Sequence, residues 1–279
     1  MNLTIPSLAC LLASGFFYTK EPLVSMREFP TDQSKVVSQA LFHEWLTVEE
    51  TSGDWVLIAT PDKYTGWIRA NRLQRRAEPY TTEVKTTQLM AHIYAVKDTE
   101  YGPITSLPYG SQLKVLDDSD ARWLKVLFPD GLECYIQRGD VAPRLIPLNK
   151  SDLTEFSKQF ERVPYLWGGR SSFGYDCSGF IQMLYSQIGI DLQRDSRQQI
   201  LDNRFQTIAI DRLEAGDLVF FGQSEETIQH VGLYIGNDQF IHATVQENQP
   251  WIRISRFTDF VWSGDPEAHY PYRTARQMK

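Results

Sequence analysis

Apolar and polar positions alternate in short runs through the first half of the chain. Two segments align without gaps, 55-WVLIATPDKYTGWI-68 and 123-WLKVLFPDGLECYI-136. Each has Trp, then Pro-Asp at plus six and seven, an aromatic at plus twelve and Ile at plus thirteen. Ahead of them stand 46-LTV-48 and 113-LKV-115, separated from the Trp by the polar turns ETSGD and DDSDA. Period-two strands broken by closely spaced turns describe a small antiparallel barrel, and the repeat describes two copies. The copies are expected at residues 22–80 and 81–146, with Trp55, Trp67, Trp123 and Tyr135 filling their cores.

The periodicity changes after the proline-containing linker 143-PRLIPLNKSD-152. In 152-DLTEFSKQFERV-163 the apolar positions 153, 156 and 160 predict a helix that ends before Pro164. A glycine-bearing loop, 165-YLWGGRSSFGYDCSG-179, leads into a second helix. Its residues Phe180, Ile181, Leu184, Tyr185 and Ile188 share one face, and Gly189 supplies the stop. Three strands follow, 217-DLVFF-221, 230-HVGLYIG-236 and 239-QFIHA-243, the last two joined at Gly236-Asn237-Asp238.

This pattern puts Cys177 in the first turn of a helix, where unpaired N–H groups favour an anion. The helix by itself lowers a thiol pKa from about 8.5 to about 7, so a nucleophile there needs an imidazole beside it. His230 and His242 lie twelve residues apart across the hairpin, and equal side-chain parity would let both project from one face of the sheet. One can then act as base while the other orients it.

Composition narrows the class. The chain has 279 residues, 42% hydrophobic and 23% charged, the make-up of a soluble protein of two or three domains. No apolar run reaches membrane-spanning length. A net charge of −7 without a basic cluster argues against a nucleic-acid partner. Cys10, Cys134 and Cys177 are odd in number and far apart, so neither a disulfide framework nor a zinc knuckle is indicated, and no metal or other cofactor is expected. The segment 5-IPSLACLLASGFF-17 has the length of a signal h-region but no preceding Lys or Arg. It is read as an early strand, which goes with a cytoplasmic protein; an export signal is the alternative.

The succession YLWGG, DCSGF, RDSRQQ, LEAGDLVFF, HVGLYIG and FIHA resembles the NlpC-type family of cell-wall cysteine peptidases, a compact relative of the papain fold, over residues 150–262. The repeated half resembles bacterial SH3-like domains. The resemblance implies an α+β chain with four parts: an N-terminal segment (1–21), SH3-like domains at 22–80 and 81–146, and a peptidase domain (147–279) with N-terminal helices packed on an antiparallel sheet. With two SH3-like domains in front, the chain is similar to the dipeptidyl-peptidase VI subgroup, which cleaves between D-glutamate and the diamino acid of murein peptides.

By that resemblance Cys177 is the nucleophile, His230 the base and acid, His242 its orienting partner and Tyr165 an oxyanion donor. Asp176, Ser178, Asp195 and Ser196 would grip the peptide. In the resembling enzymes the first SH3-like domain also contributes an acid and a tyrosine that demand a free N-terminal L-alanine; Glu44 and Tyr80 are the candidates, with Tyr64 as a rival to Tyr80. His43 stands where the family motif usually has Gly. The expected partner is a murein peptide, and the protein is expected to be a monomer. Two other functions fit the same sequence: an amidase or acyltransferase on this scaffold, and a non-catalytic wall-binding protein.

Overall fold

The computed structural model describes residues 15–144, 147–263, 265, 267 and 270–279. Residues 1–14, which carry most of the signal-like segment, and His269 lie outside the described residues. The chain divides into two compact units, 1–146 and 147–279.

The first unit is all β. β1 (Phe16–Thr19) pairs with β7 (Leu73–Arg76). β2 (Leu23–Arg27), β3 (Val36–Leu41), β4 (Thr47–Ser52), β5 (Trp55–Ala59) and β6 (Thr65–Arg69) form a sheet in the order β3-β2-β6-β5-β4. The second sheet comprises β8 (Val84–Thr86), β9 (Met90–Tyr94), β10 (Thr105–Pro108), β11 (Gln112–Asp117), β12 (Trp123–Leu127), β13 (Glu133–Gln137) and β14 (Val141–Pro143). Its order is β10-β9-β13-β12-β11-β8-β14. The sequence repeat corresponds to equivalent hairpins: Trp55 opposes Arg69 on β6, and Trp123 opposes Gln137 on β13. Both tryptophans are buried, but not where they were expected. Val56, Ile58 and Ile68 fill the first core and Leu124, Val126 and Ile136 the second. Strand alternation puts Trp55, Trp67, Trp123 and Tyr135 on the opposite face, where Arg69 and Arg122 lie over the Trp55 and Trp123 rings. The core of the second barrel also takes in Tyr18, Phe42 and Tyr80, which come from the first barrel and the connector.

The second unit begins with α1 (Lys150–Lys158). The expected helix over 152–163 therefore stops five residues early. Arg162 adopts φ 73°, its N–H bonds the Ile252 carbonyl, and the Ile252 N–H returns to the Val163 carbonyl. Pairing with a strand replaces the last helical turn. A two-residue hairpin, β15 (Arg170–Ser171) with β16 (Gly174–Tyr175), precedes α2 (Cys177–Ser186), and α3 (Ser196–Gln199) follows. Gly189 stands at φ 78°, the left-handed stop the sequence called for.

The main sheet has six antiparallel strands: β17 (Phe205–Ile208), β18 (Leu218–Gly222), β19 (Ile228–Gly236), β20 (Gln239–Thr244), β21 (Trp251–Arg256) and β22 (Tyr272–Met278). Their order is β17-β22-β18-β19-β20-β21. The all-apolar stretch 218–221 is central and fully buried. Buried residues of α2, among them Phe180, Ile181 and Leu184, lie on the side of the helix that packs against β19 and β20. Among the described residues no helix is long and apolar enough to cross a membrane.

Candidate active site

The start of α2 is held by a buried ion pair. Asp176 is the N-cap: its Oδ1 accepts from the Gly179 N–H at 2.7 Å and from the Ser178 hydroxyl at 3.2 Å, while Oδ2 accepts from the Gly168 N–H at 3.0 Å. Arg194, 1% exposed, closes the cluster. Its Nη1 donates to Asp176 Oδ1 and to Ser178 Oγ, both at 3.0 Å, and its Nη2 to Asp176 Oδ2 at 2.5 Å. Gly179 allows the close approach this requires, since a Cβ there would stand 2.2 Å from the Gly169 carbonyl oxygen. The consequence is a rigid first turn with Cys177 at its head.

Cys177 is partly exposed at that position. The N–H groups of Val231 and Ser178 and the charge of Arg194 favour its thiolate, but burial and the Asp176 carboxylate outweigh them and push the thiol up to about 12. Burial, with a smaller contribution from the Arg253 charge, brings His230 down to about 3. Both shifts favour the uncharged forms. At rest, burial thus favours a neutral thiol and a neutral imidazole.

A β-bulge brings the two histidines together. At the hairpin tip Gly236 pairs with Gln239 around Asn237 and Asp238, whose φ values of 54° and 58° fit a two-residue turn. Continued unbroken, that register would set His242 opposite Leu233, and His230 would then face the other side of the sheet. Instead the register shifts between Tyr234 and Gly236, so that Tyr234 pairs with Phe240 and Leu233 with Ile241. His242 comes to lie across from Gly232, diagonal to His230 and on its face. A Cβ at Gly232 would meet the Phe240 ring at 2.9 Å and the His242 Cβ at 3.4 Å, so glycine leaves the gap through which the imidazoles touch.

The contact is a hydrogen bond of 2.7 Å between His230 Nε2 and His242 Nδ1, and His242 Nε2 lies 3.0 Å from Ser255 Oγ. With Nε2 so occupied, Nδ1 is the His230 nitrogen left for Cys177. The helix headed by Cys177 packs on this strand, and the N–H of the neighbouring Val231 favours the thiolate. Trp262, fully buried, covers both rings with centroids 4.9 Å from His230 and 4.5 Å from His242, and Tyr270 stacks on Trp262 at 5.5 Å while itself lying 5.7 Å from His230. This aromatic cover excludes water, which is why burial dominates the shift of each imidazole; the His230 and Arg253 charges add to it for His242.

Tyr165 sits where β16 meets the preceding loop, its N–H on the Pro250 carbonyl at 2.8 Å. Burial raises its pKa, with smaller contributions from Cys177 and Asp176, so the hydroxyl stays protonated and able to donate. Burial, with a smaller contribution from Cys177, likewise raises the pKa of Tyr270.

The expected peptide-gripping residues divide. Asp176 and Ser178 are buried and bonded to one another and to Arg194, which pairs the Asp176 charge inside the protein. Asp195 heads α3, with the Gln198 side chain closing back on its N–H at 3.3 Å, and Ser196 is the buried first residue of that helix. In the first unit, Glu44 Oε2 accepts from the Leu41 N–H at 2.9 Å. Tyr80 is 8% exposed, and its hydroxyl donates to the Leu127 carbonyl at 2.7 Å and accepts from the Lys114 N–H at 3.2 Å. A phenol committed to two backbone partners is a pillar of that unit's core.

Sequence reasoning did not single out Arg194, Ser255, Trp262 or Tyr270. The alternation in 251-WIRISR-256 marks a strand on which Ser255 could have been sought, whereas nothing marks Arg194 as a buried guanidinium.

Residues 162–264 match the NlpC/P60 family, and residues 23–74 match the bacterial SH3 domain. A gamma-D-glutamyl-L-lysine dipeptidyl-peptidase of Bacillus cereus is 29% identical over 250 residues, 81% of this chain and 72% of that protein. Dipeptidyl-peptidase 6 of Lysinibacillus sphaericus is 27% identical over 72% of this chain and 77% of its own. A crystal structure of an NlpC/P60 family protein from Bacillus cereus superposes with a TM-score of 0.78 at 23% identity, covering 95% of this chain and 99% of that one, a likeness of fold.

Proposed function

We propose that this chain, a cysteine peptidase with an NlpC/P60 domain behind a bacterial SH3-like region, hydrolyses the bond between γ-D-glutamate and the diamino acid of peptidoglycan stem peptides. The observation that carries the chemistry is the row His230, His242, Ser255, with its 2.7 Å imidazole–imidazole contact under an aromatic cover, on a sheet against which the helix headed by Cys177 packs. The names of the relatives support the choice of bond. Helix α2 against the six-stranded sheet is in keeping with a papain-like layering.

In this reading the Cys177 S–H proton moves to His230 Nδ1 as the sulfur attacks the γ-carbonyl carbon of D-glutamate. The charge that develops on the carbonyl oxygen falls near the N–H groups at the start of α2 and the Tyr165 hydroxyl. His230 is then an imidazolium whose Nε2–H points at a neutral His242, which accepts it without taking the proton, the task a carboxylate or amide performs in other triads. The imidazolium gives its proton to the departing amine of the diamino acid, leaving L-Ala-γ-D-Glu as a thioester on Cys177. Water, deprotonated by His230, hydrolyses that ester. Moving a proton between two groups that burial holds neutral is unfavourable before substrate arrives, so the thiolate is generated during attack.

Asp195 and Ser196 are proposed to bind the peptide, and Glu44 to bind its free L-alanine ammonium. Asp176 and Tyr80 are assigned structural work. A requirement for a free amine would restrict the enzyme to released fragments, and hence to a cytoplasmic recycling role. The test compares kcat/KM for L-Ala-γ-D-Glu-diaminopimelate with that for its N-acetyl form, in wild type and in Glu44→Gln. Acetylation should slow the wild type at least about a hundredfold and the variant far less, because the acetylated amine no longer offers Glu44 a positive charge. Equal rates on both substrates would remove the free-amine requirement and point to an enzyme of intact wall.

A further inference from the structure

The row of hydrogen bonds does not end at His242. Its second nitrogen, Nε2, lies 3.0 Å from the hydroxyl of Ser255, a residue 2% exposed on β21. The register explains the contact: His242 pairs with Arg253, so Ser255, two residues on, is its diagonal neighbour on the same face.

A row of two neutral imidazoles and a hydroxyl can carry its protons in either of two directions. In one, Ser255 donates to His242 Nε2, His242 Nδ1–H donates to His230 Nε2, and the His230 proton sits on Nδ1. That form offers the thiol no acceptor. In the other, His230 Nε2–H donates to His242 Nδ1, His242 Nε2–H donates to Ser255 Oγ, and the lone pair of His230 lies on Nδ1. A thiol that is to attack must give up its S–H, so the imidazole that serves it must present a lone pair. Only the second direction supplies one. The last member of the row therefore decides whether the thiol has a base.

We propose that Ser255 is a positioning residue: by accepting the His242 Nε2–H it selects the His242 tautomer that keeps the His230 lone pair on Nδ1, available to Cys177. The proposal rests on the peptidase reading for its kinetic consequence and on the hydrogen-bond geometry for its tautomers. Ser255 touches neither substrate nor sulfur and acts through two rings.

The test joins kinetics to nitrogen NMR. The full chain is labelled with 15N-histidine, whose ring shifts distinguish a protonated nitrogen from a bare one; the five histidines are assigned by single substitutions. In the wild type His230 and His242 should both carry the proton on Nε2. Ser255→Ala, which removes one oxygen, should mix the tautomers and lower kcat about five- to tenfold, the scale of one buried neutral hydrogen bond, with KM unchanged. Ser255→Thr keeps the hydroxyl and should restore both the single tautomer and kcat. A wild-type His242 protonated on Nδ1, or a Ser255→Ala enzyme with unchanged tautomers and unchanged kcat, would overturn the proposal. If wild type hydrolyses no stem peptide, the peptidase reading fails, while the ring nitrogens, read without turnover, still decide the part Ser255 plays.

Discussion

Acid should loosen the catalytic unit through its paired histidines before it affects anything else that depends on them. His230 is brought from 6.5 down to about 3 in the folded state, and His242 is shifted the same way, both chiefly by burial. The folded imidazoles thus stay neutral where those of the unfolded chain protonate. Stability contributed by the pair is fully present above pH 6.5 and is lost as pH falls from there toward 3. One pKa unit corresponds to 1.36 kcal/mol, so going from pH 7 to 4.5 should remove about 2.5 kcal/mol through His230, and His242, shifted in the same direction, adds to the loss. Carboxylates also titrate in that window, so the informative quantity is a difference between variants. His242→Asn retains a side-chain acceptor but cannot take up a proton, and its loss of stability over the same interval should be smaller than that of the wild type. Urea unfolding of the full chain at pH 7.0, 5.5 and 4.5 gives both curves, and peptide-resolved hydrogen exchange across β19 and β20 separates this unit from the first. Identical pH slopes for the two proteins would show that His242 is not held neutral by burial and would refute the argument.

Three other perturbations follow from the same geometry. Arg194→Ala leaves the Asp176 carboxylate buried without its cation, and should cost about 3 to 5 kcal/mol of stability in the catalytic unit by urea titration; a loss under 1 kcal/mol would mean that water replaces the guanidinium. Gly232→Ala inserts a Cβ 2.9 Å from the Phe240 ring, so kcat should fall at least about tenfold as the hairpin shifts, and an unchanged kcat would show that the strands yield without disturbing the imidazoles. With its thiol pushed up to about 12, Cys177 should react with iodoacetamide more slowly than free cysteine at pH 7 and faster as pH rises; a rapid, pH-independent reaction at neutrality would indicate a preformed ion pair.

Much of this arrangement is legible in the sequence, for definite reasons. The Trp-to-Ile repeat reports hairpins because strand periodicity is local, and Cys177 is recognisable at a helix start because Asp176 is an N-cap and Phe180 to Leu184 follow with helical spacing. The facing of His230 and His242 was expected from a simple hairpin, yet it depends on a bulge beside Ile235 that no residue type announces. Long-range partners were the least legible. Arg194 and Ser255 matter through neighbours 18 and 13 residues away, and nothing local distinguishes a buried arginine from an exposed one. Asp176 and Tyr80 have the chemistry of binding groups, but the Arg194 guanidinium and the Leu127 carbonyl had already claimed them, facts that exist only once the chain has folded.

The central claim is that Cys177 attacks the γ-glutamyl carbonyl. Its most direct test is to incubate wild type and Cys177→Ala with L-Ala-γ-D-Glu-diaminopimelate and L-Ala-γ-D-Glu-L-lysine, and to identify the products by mass spectrometry. Wild type should yield the dipeptide L-Ala-γ-D-Glu and the free diamino acid, while Cys177→Ala, folded as judged by circular dichroism, should yield neither. Cleavage at another bond, or more than a few per cent of wild-type product from Cys177→Ala, would contradict the account.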